Sequence, residues 1–134
     1  MADDQQPIYT TTGVSTREPS SVQVDDRNDL SFAVSSPEQS PEDGQATPEQ
    51  LYAAALASCL HQAVVLEATE ADVDTAGSQV MVEVTLTHAG QERFGLTARA
   101  SIDLPGIDEQ TRARVTERAV QICPMAGVIE LTLS

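Results

Sequence analysis

Two cysteines are the residues of this chain best equipped for chemistry: Cys59, inside a long apolar segment, and Cys123, directly before Pro124. A thiol is a nucleophile only as its thiolate. The chain has no lysine, so the cation that would favour a Cys59 thiolate has to be an arginine or a protonated histidine. In mid-helix the macrodipole gives little help, because its effect fades within the first turn. The alternative is a pair of buried thiols that pack as small hydrophobes. Glu49 stands ten residues before Cys59, almost three helical turns away and too far to be its base. A carboxylate there can hold a long arginine side chain in place, or it can simply favour the positive end of its helix. His61 and His88, the only histidines, read as surface or partly buried side chains. No C-x-x-C and no His/Cys cluster with metal-ligand spacing occurs. G-x-G-x-x-G and G-x-S-x-G are also missing, so nucleotide-binding and serine-hydrolase readings have no support.

The elements that must position these residues follow from pattern. Thr47-Pro48-Glu49-Gln50 puts Thr at an N-cap, Pro at the first helical position and Gln three residues after the cap. This predicts a helix from there to about Ala68, apolar nearly all round and therefore central. A second helix is predicted from an Asp108 cap to about Ile122, with Val115, Ala119, Ile122 and Cys123 inward and Pro124 as its stop. Val80, Val82, Val84 and Leu86 alternate with polar residues, as do Phe94, Leu96, Ala98, Ala100, Ile102 and Leu104. Both runs predict one long hairpin with a buried face, joined through His88-Ala89-Gly90-Gln91 and ended by Pro105-Gly106. Strands are further expected at Ile8–Val14, Val22–Val24, Leu30–Val34 and Val128–Leu133, with a turn at Arg17–Ser21 and a connection through Asp25–Asp29. Residues 1–7 read as a frayed terminus. The segment 35–46, with Pro37, Pro41 and Gly44, reads as a mobile loop inside one domain spanning 1–134. The order β-β-β-α-β-β-α-β predicts an α+β fold with mainly antiparallel sheet and two helices.

Composition narrows the function classes. The chain has 134 residues, enough to bury roughly two-thirds of its unfolded surface. Seven arginines against 21 acidic residues leave a net charge of −14, which argues against nucleic acid or an anionic membrane face as a partner. Without lysine there is no Schiff base and no P-loop. Only Tyr9, Phe32, Tyr52 and Phe94 are aromatic, too few for base stacking. The acidic start is unlike a signal peptide, and the longest apolar stretch, Leu51 to Leu66, is shorter than the about 20 residues of a membrane span. A cytoplasmic location is expected, where two cysteines read as a redox pair or as buried thiols.

The segment Thr47-Pro48-Glu49-Gln50-Leu51-Tyr52-Ala53-Ala54-Ala55-Leu56-Ala57-Ser58-Cys59 resembles the N-P-E-Q-L-F-A-A-G-Y-A-A-C segment of organic hydroperoxide resistance (Ohr) proteins in the OsmC superfamily. Val120-Gln121-Ile122-Cys123-Pro124 resembles their H-Q-V-C-P segment, and Tyr9-Thr10-Thr11-Thr12 is similar to their Thr-rich first strand. The resemblance runs from Ile8 to Leu133 and implies the OsmC-like fold, as an intertwined homodimer with its sites at the subunit interface. It makes Cys59 the peroxidatic cysteine and Cys123 the resolving one, with a Cys59–Cys123 disulfide as the oxidised form. Glu49 matches the family's helix-start glutamate. The catalytic arginine falls on Arg17, 42 residues before Cys59, with Arg27 as the second candidate; Val14-Ser15-Thr16-Arg17 stands where the family has Gly-Gly-Arg. After Cys123-Pro124 this chain has Met125-Ala126-Gly127 instead of an aromatic and Ser-Asn-Ala. These departures should reshape the substrate pocket, Met125 admitting bulkier chains, and they fit a divergent OsmC-like subgroup as well as a typical Ohr protein.

The activity implied is a thiol peroxidase that reduces organic hydroperoxides to alcohols in oxidative stress defence. It would bind no cofactor or metal and be recycled by an external dithiol, typically a lipoyl group on a partner protein. The rival expectation is a non-catalytic OsmC-like protein that binds a small apolar ligand and uses its cysteines structurally.

Overall fold

The computed structural model describes residues 6–35, 40–88 and 93–134. Parts of the expected frayed start (1–5), of the 35–46 loop (36–39) and of the hairpin connection (89–92) lie outside the described residues. The chain divides into two compact units, Met1–Pro48 and Glu49–Ser134.

In the first unit four strands lie in sequential order: β1 (Gly13–Arg17), β2 (Ser20–Val24), β3 (Arg27–Val34) and the two-residue β4 (Gln45–Ala46). The first two pairings are antiparallel, and β4 runs parallel to β3 through Ala33↔Gln45 and Val34↔Ala46. The first strand is not Ile8–Val14 as the residue types suggest; it begins at Gly13 and ends on Arg17. Pairing decides this: the hairpin closes at Arg17↔Ser20 around Glu18-Pro19 and runs out of partner at Gly13↔Val24. The Thr-rich stretch before it is used otherwise. The Asp25 carboxylate accepts from the Thr11 hydroxyl at 2.6 Å and the Thr12 N–H at 2.8 Å, while Ile8 and Tyr9 stay exposed. The second turn is also tighter than expected. Asp25 and Asp26 take φ of 51° and 58°, the left-handed pair of a two-residue hairpin turn that Asp tolerates, so β3 starts at Arg27 and not at Leu30.

The second unit packs two helices and a three-stranded sheet. Helix α1 is Pro48–Glu70, β5 is Gln79–His88, β6 is Phe94–Asp103, α2 is Glu109–Ile122 and β7 is Glu130–Leu133. The hairpin β5–β6 keeps one register from Gln79↔Asp103 to His88↔Phe94, and β7 joins β6 in parallel. Asp108 caps α2 by accepting the Thr111 N–H at 3.0 Å. The core comprises Leu56, Leu60, Ala63, Val64 and Ala68 of α1, Ala98, Ala100, Ile102 and Leu104 of the hairpin and its exit, Val115, Ala119 and Cys123 of the α2 region, and Ala126.

Three expectations need correcting. Helix α1 is apolar nearly all round in sequence but buries one stripe, at the spacing that puts i, i+4 and i+8 on one face; Val65 and Leu66 are exposed. The hairpin face is buried only from Ala98 to Leu104; Leu96 is partly exposed and Phe94 exposed, its ring 4.9 Å from that of His88. The helix of 23 residues that contains Leu51–Leu66 is by length and composition able to cross a membrane, contrary to the expectation from the apolar run alone. Its buried stripe nevertheless belongs to a core shared with a sheet and a second helix, the position of a core helix in a globular unit.

Candidate functional site

Cys59 lies midway along α1, on the side where α1 is half-buried, and Cys123 is the buried C-cap residue of α2. Cys123 is held by two local features. Its N–H donates to the Ala119 carbonyl at 3.0 Å, which completes the last helical turn. Pro124 then prevents any continuation, since it has no N–H to give the next turn. The chain leaves through a 3-10 turn at Ala126–Val128, with the Ala126 N–H donating to the Cys123 carbonyl at 3.2 Å. Farther along the two helices Arg118 Nε lies 3.5 Å from Glu67 Oε1, an ion pair that links α2 to α1.

The two helices bring the thiols together: Cys59 Sγ and Cys123 Sγ are 3.4 Å apart, both reduced, across 64 residues of chain. A disulfide needs about 2.05 Å between sulfurs, so closing the gap takes roughly 1.4 Å of combined side-chain motion. Burial pushes the Cys59 thiol above its ordinary pKa, and its hydrogen bond with Cys123 adds to the rise. The Met125 backbone N–H acts in the opposite direction, because it favours negative charge on the Cys59 sulfur. No arginine of this unit is among the influences on that thiol.

The other expected site residues fall elsewhere. Glu49 is in the first turn of α1, half-buried and about 15 Å of helix rise from Cys59, so it does not touch the sulfur. Arg17 is the exposed last residue of β1, in the N-terminal unit. The second candidate, Arg27, is already engaged: its guanidinium holds both oxygens of Asp29, at 2.8 and 3.3 Å. Met125 is partly buried against the core.

Two features escaped the sequence reading. His61 Nε2 and Ser78 Oγ form a hydrogen bond of 2.9 Å that ties α1 to the segment entering β5. Beside it Ser58, His61, Gln62 and Val65 line an open cleft of about 410 Å³. Spacings of three, four and seven residues on one helix could have flagged the cleft side, since they lie on one helix face. The partner Ser78 could not have been found without the fold. Among the described residues no group of three His, Cys, Asp or Glu side chains is placed to hold a metal ion.

Known proteins resemble this arrangement over nearly its whole length. The chain is 28% identical over 124 residues to an organic hydroperoxide resistance protein-like protein of Mycoplasma pneumoniae, covering 92% of this chain and 88% of that one. The crystal structure of an organic hydroperoxide resistance protein from Elizabethkingia anophelis superposes with a TM-score of 0.84 at 26% identity, covering 96% of each chain. That of an organic hydroperoxide resistance protein from Legionella pneumophila superposes at 0.83 and 24% identity, covering 96% of this chain and 98% of that one. The α+β architecture with two helices and two sheets is therefore the OsmC/Ohr fold. The family model described as OsmC-like protein matches residues 41–133, which include both cysteine segments, and the chain belongs to that family.

Proposed function

We propose that the protein is a thiol peroxidase that reduces organic hydroperoxides, with Cys59 as the peroxidatic and Cys123 as the resolving cysteine. The observation that carries this reading is the 3.4 Å between the sulfurs of a half-buried and a buried thiol. The hydroperoxide-resistance relatives support the general role in peroxide resistance. The Cys59 thiolate attacks the outer oxygen of ROOH, the O–O bond breaks, and RO⁻ takes a proton to leave as ROH. Cys59 is then a sulfenic acid. The Cys123 thiol displaces its hydroxyl, an S–S bond forms and water leaves. An external dithiol, a lipoyl group in this reading, returns two electrons and two protons.

Burial disfavours the thiolate this scheme needs, so a cation has to offset it. Arg17 fills that role and also polarises the peroxide, and Glu49 orients it; the working unit is a homodimer. The cytoplasm suits a pair that has to return to the reduced state. A bound alkyl chain favours organic peroxides over hydrogen peroxide, which brings no apolar surface to bury.

The raised Cys59 pKa is also what a structural thiol would have, and it favours the rival reading of a non-catalytic protein that binds a small apolar ligand. One assay separates the two. Reduced protein is mixed with cumene hydroperoxide and dihydrolipoamide, and peroxide loss and free thiols are followed. Turnover with a transient intramolecular disulfide supports the peroxidase. No peroxide loss, with both thiols still titratable, overturns it.

A further inference from the structure

We propose that the Cys59–Cys123 pair is a binding site for trivalent arsenicals, each sulfur supplying one bond to arsenic. Thiol sulfur is a soft ligand and selects soft, thiophilic centres over hard cations. Among the described residues no group of three His, Cys, Asp or Glu side chains is placed to hold a metal ion. A tetrahedral zinc site, which needs three or four protein ligands, does not fit. What fits is a centre that takes two protein sulfurs and brings its remaining substituent with it.

Geometry then separates the soft candidates. With sulfur bonds of about 2.3 Å, a linear two-coordinate centre holds its sulfurs about 4.6 Å apart. A pyramidal centre with a near-right angle at that bond length holds them about 3.3–3.5 Å apart. The observed separation is 3.4 Å. The pair thus meets the pyramidal requirement before anything binds, and preorganisation spares the cost of ordering the side chains. Both sulfurs stand on regular elements, Cys59 in the middle of α1 and Cys123 at the capped end of α2. Cys59 is only half-buried, which leaves a side from which a ligand can approach. The net charge of −14 disfavours anions such as arsenate but does not oppose neutral trivalent species.

The step is an exchange without change of oxidation state. With phenylarsine oxide, two S–As bonds form, the arsenic–oxygen bond breaks, and the two thiol protons leave with that oxygen as water. The balance counts one proton from each thiol, and burial raises the Cys59 pKa in favour of its protonated form. The inference does not rest on the peroxidase reading, since no peroxide and no thiolate reactivity toward oxygen enter it.

The test uses the full chain, reduced and kept anaerobic, titrated with phenylarsine oxide. Intact mass should show one phenylarsenic group per chain with two hydrogens lost. Iodoacetamide should then alkylate neither cysteine. Because the second bond closes within one molecule, Cys59→Ser and Cys123→Ser should each bind about 10²–10⁴-fold more weakly. Excess β-mercaptoethanol should strip the variants and leave the parent adduct intact, whereas a dithiol should strip all three. The proposal is overturned if one cysteine of the parent remains alkylatable, or if the monothiol strips the parent as readily as the variants. The alkylation result on the parent decides the matter even if a serine variant fails to fold. Loss of peroxidase activity in the separate cumene hydroperoxide assay has no bearing on it.

Discussion

Replacing Leu60 by Ala tests the packing that brings the two sulfurs together. Leu60 is fully buried and adjoins Cys59 on the helix. Removing three carbons forfeits about 2.4 kcal/mol of transfer free energy, at about 0.8 kcal/mol per methylene. The surroundings then decide how much of the gap closes. The cluster is rich in alanine: Ala63, Ala68, Ala98, Ala100, Ala119 and Ala126. An alanine has no rotamer with which to refill a void. If a cavity of about 60 Å³ remains, it adds about 1.5 kcal/mol. The expected loss is thus about 4 kcal/mol, a large share of the about 5–15 kcal/mol typical of a folded domain. For a chain of this length that corresponds to a fall in Tm of about 14 °C. Urea unfolding at fixed protein concentration should show a lower midpoint with an unchanged slope. Leu60→Met, which keeps the volume, should cost less than about 1.5 kcal/mol. A Leu60→Ala loss below about 1 kcal/mol would refute the reasoning, because the helix would then not be presenting this face to a rigid core.

The remaining predictions concern the thiols and one cap. Cys59→Ser should abolish peroxide consumption, whereas Cys123→Ser should permit one turnover and leave Cys59 to over-oxidise; mass spectrometry distinguishes the two. Arg17→Ala should move the pH–rate profile of peroxide reduction upward and slow the reaction at neutral pH, by about tenfold for each pH unit the profile moves; an unchanged profile would remove Arg17 from the mechanism. Cys123→Ala should bring Cys59 alkylation by iodoacetamide to lower pH, since both contributions of Cys123 raise the Cys59 pKa. Hydrogen bonds from the Thr111 side chain and backbone N–H hold the Asp108 carboxyl below its ordinary pKa, so its stabilisation is present at neutral pH and lost as pH falls through the folded value. Asp108→Ala should therefore lower Tm at pH 7 and converge with the parent in acid, as calorimetry across pH would show.

Local chemistry made much of this protein legible. Pro48 after Thr47, Asp108 three residues before Thr111 and Pro124 after Cys123 are punctuation whose effect is confined to one helical turn, and the observed helices begin and end at those places. Alternation from Val80 to Leu86 marks β5 because a strand's faces repeat every two residues. The first unit was harder to read. Thr and Ile before Val14 fit a strand by residue type, but a strand also needs a partner; β2 is five residues long, and Asp25 takes up Thr11 and Thr12. Nor could residue pattern tell which side of α1 meets the core, because apolar residues surround it and only packing selects Leu56, Leu60 and Val64 over Leu66.

The sequence by itself determined the two thiols, the elements that carry them and, through the segments around Cys59 and Cys123, the family. What only the tertiary structure decided is their distance: a sequence separation of 64 leaves it open, and it becomes 3.4 Å because α1 and the capped end of α2 pack into one core. The same holds for the His61–Ser78 hydrogen bond, the raised Cys59 pKa and the Met125 N–H that opposes it. Each depends on groups that are distant in sequence or on burial, and neither follows from residue type or local spacing.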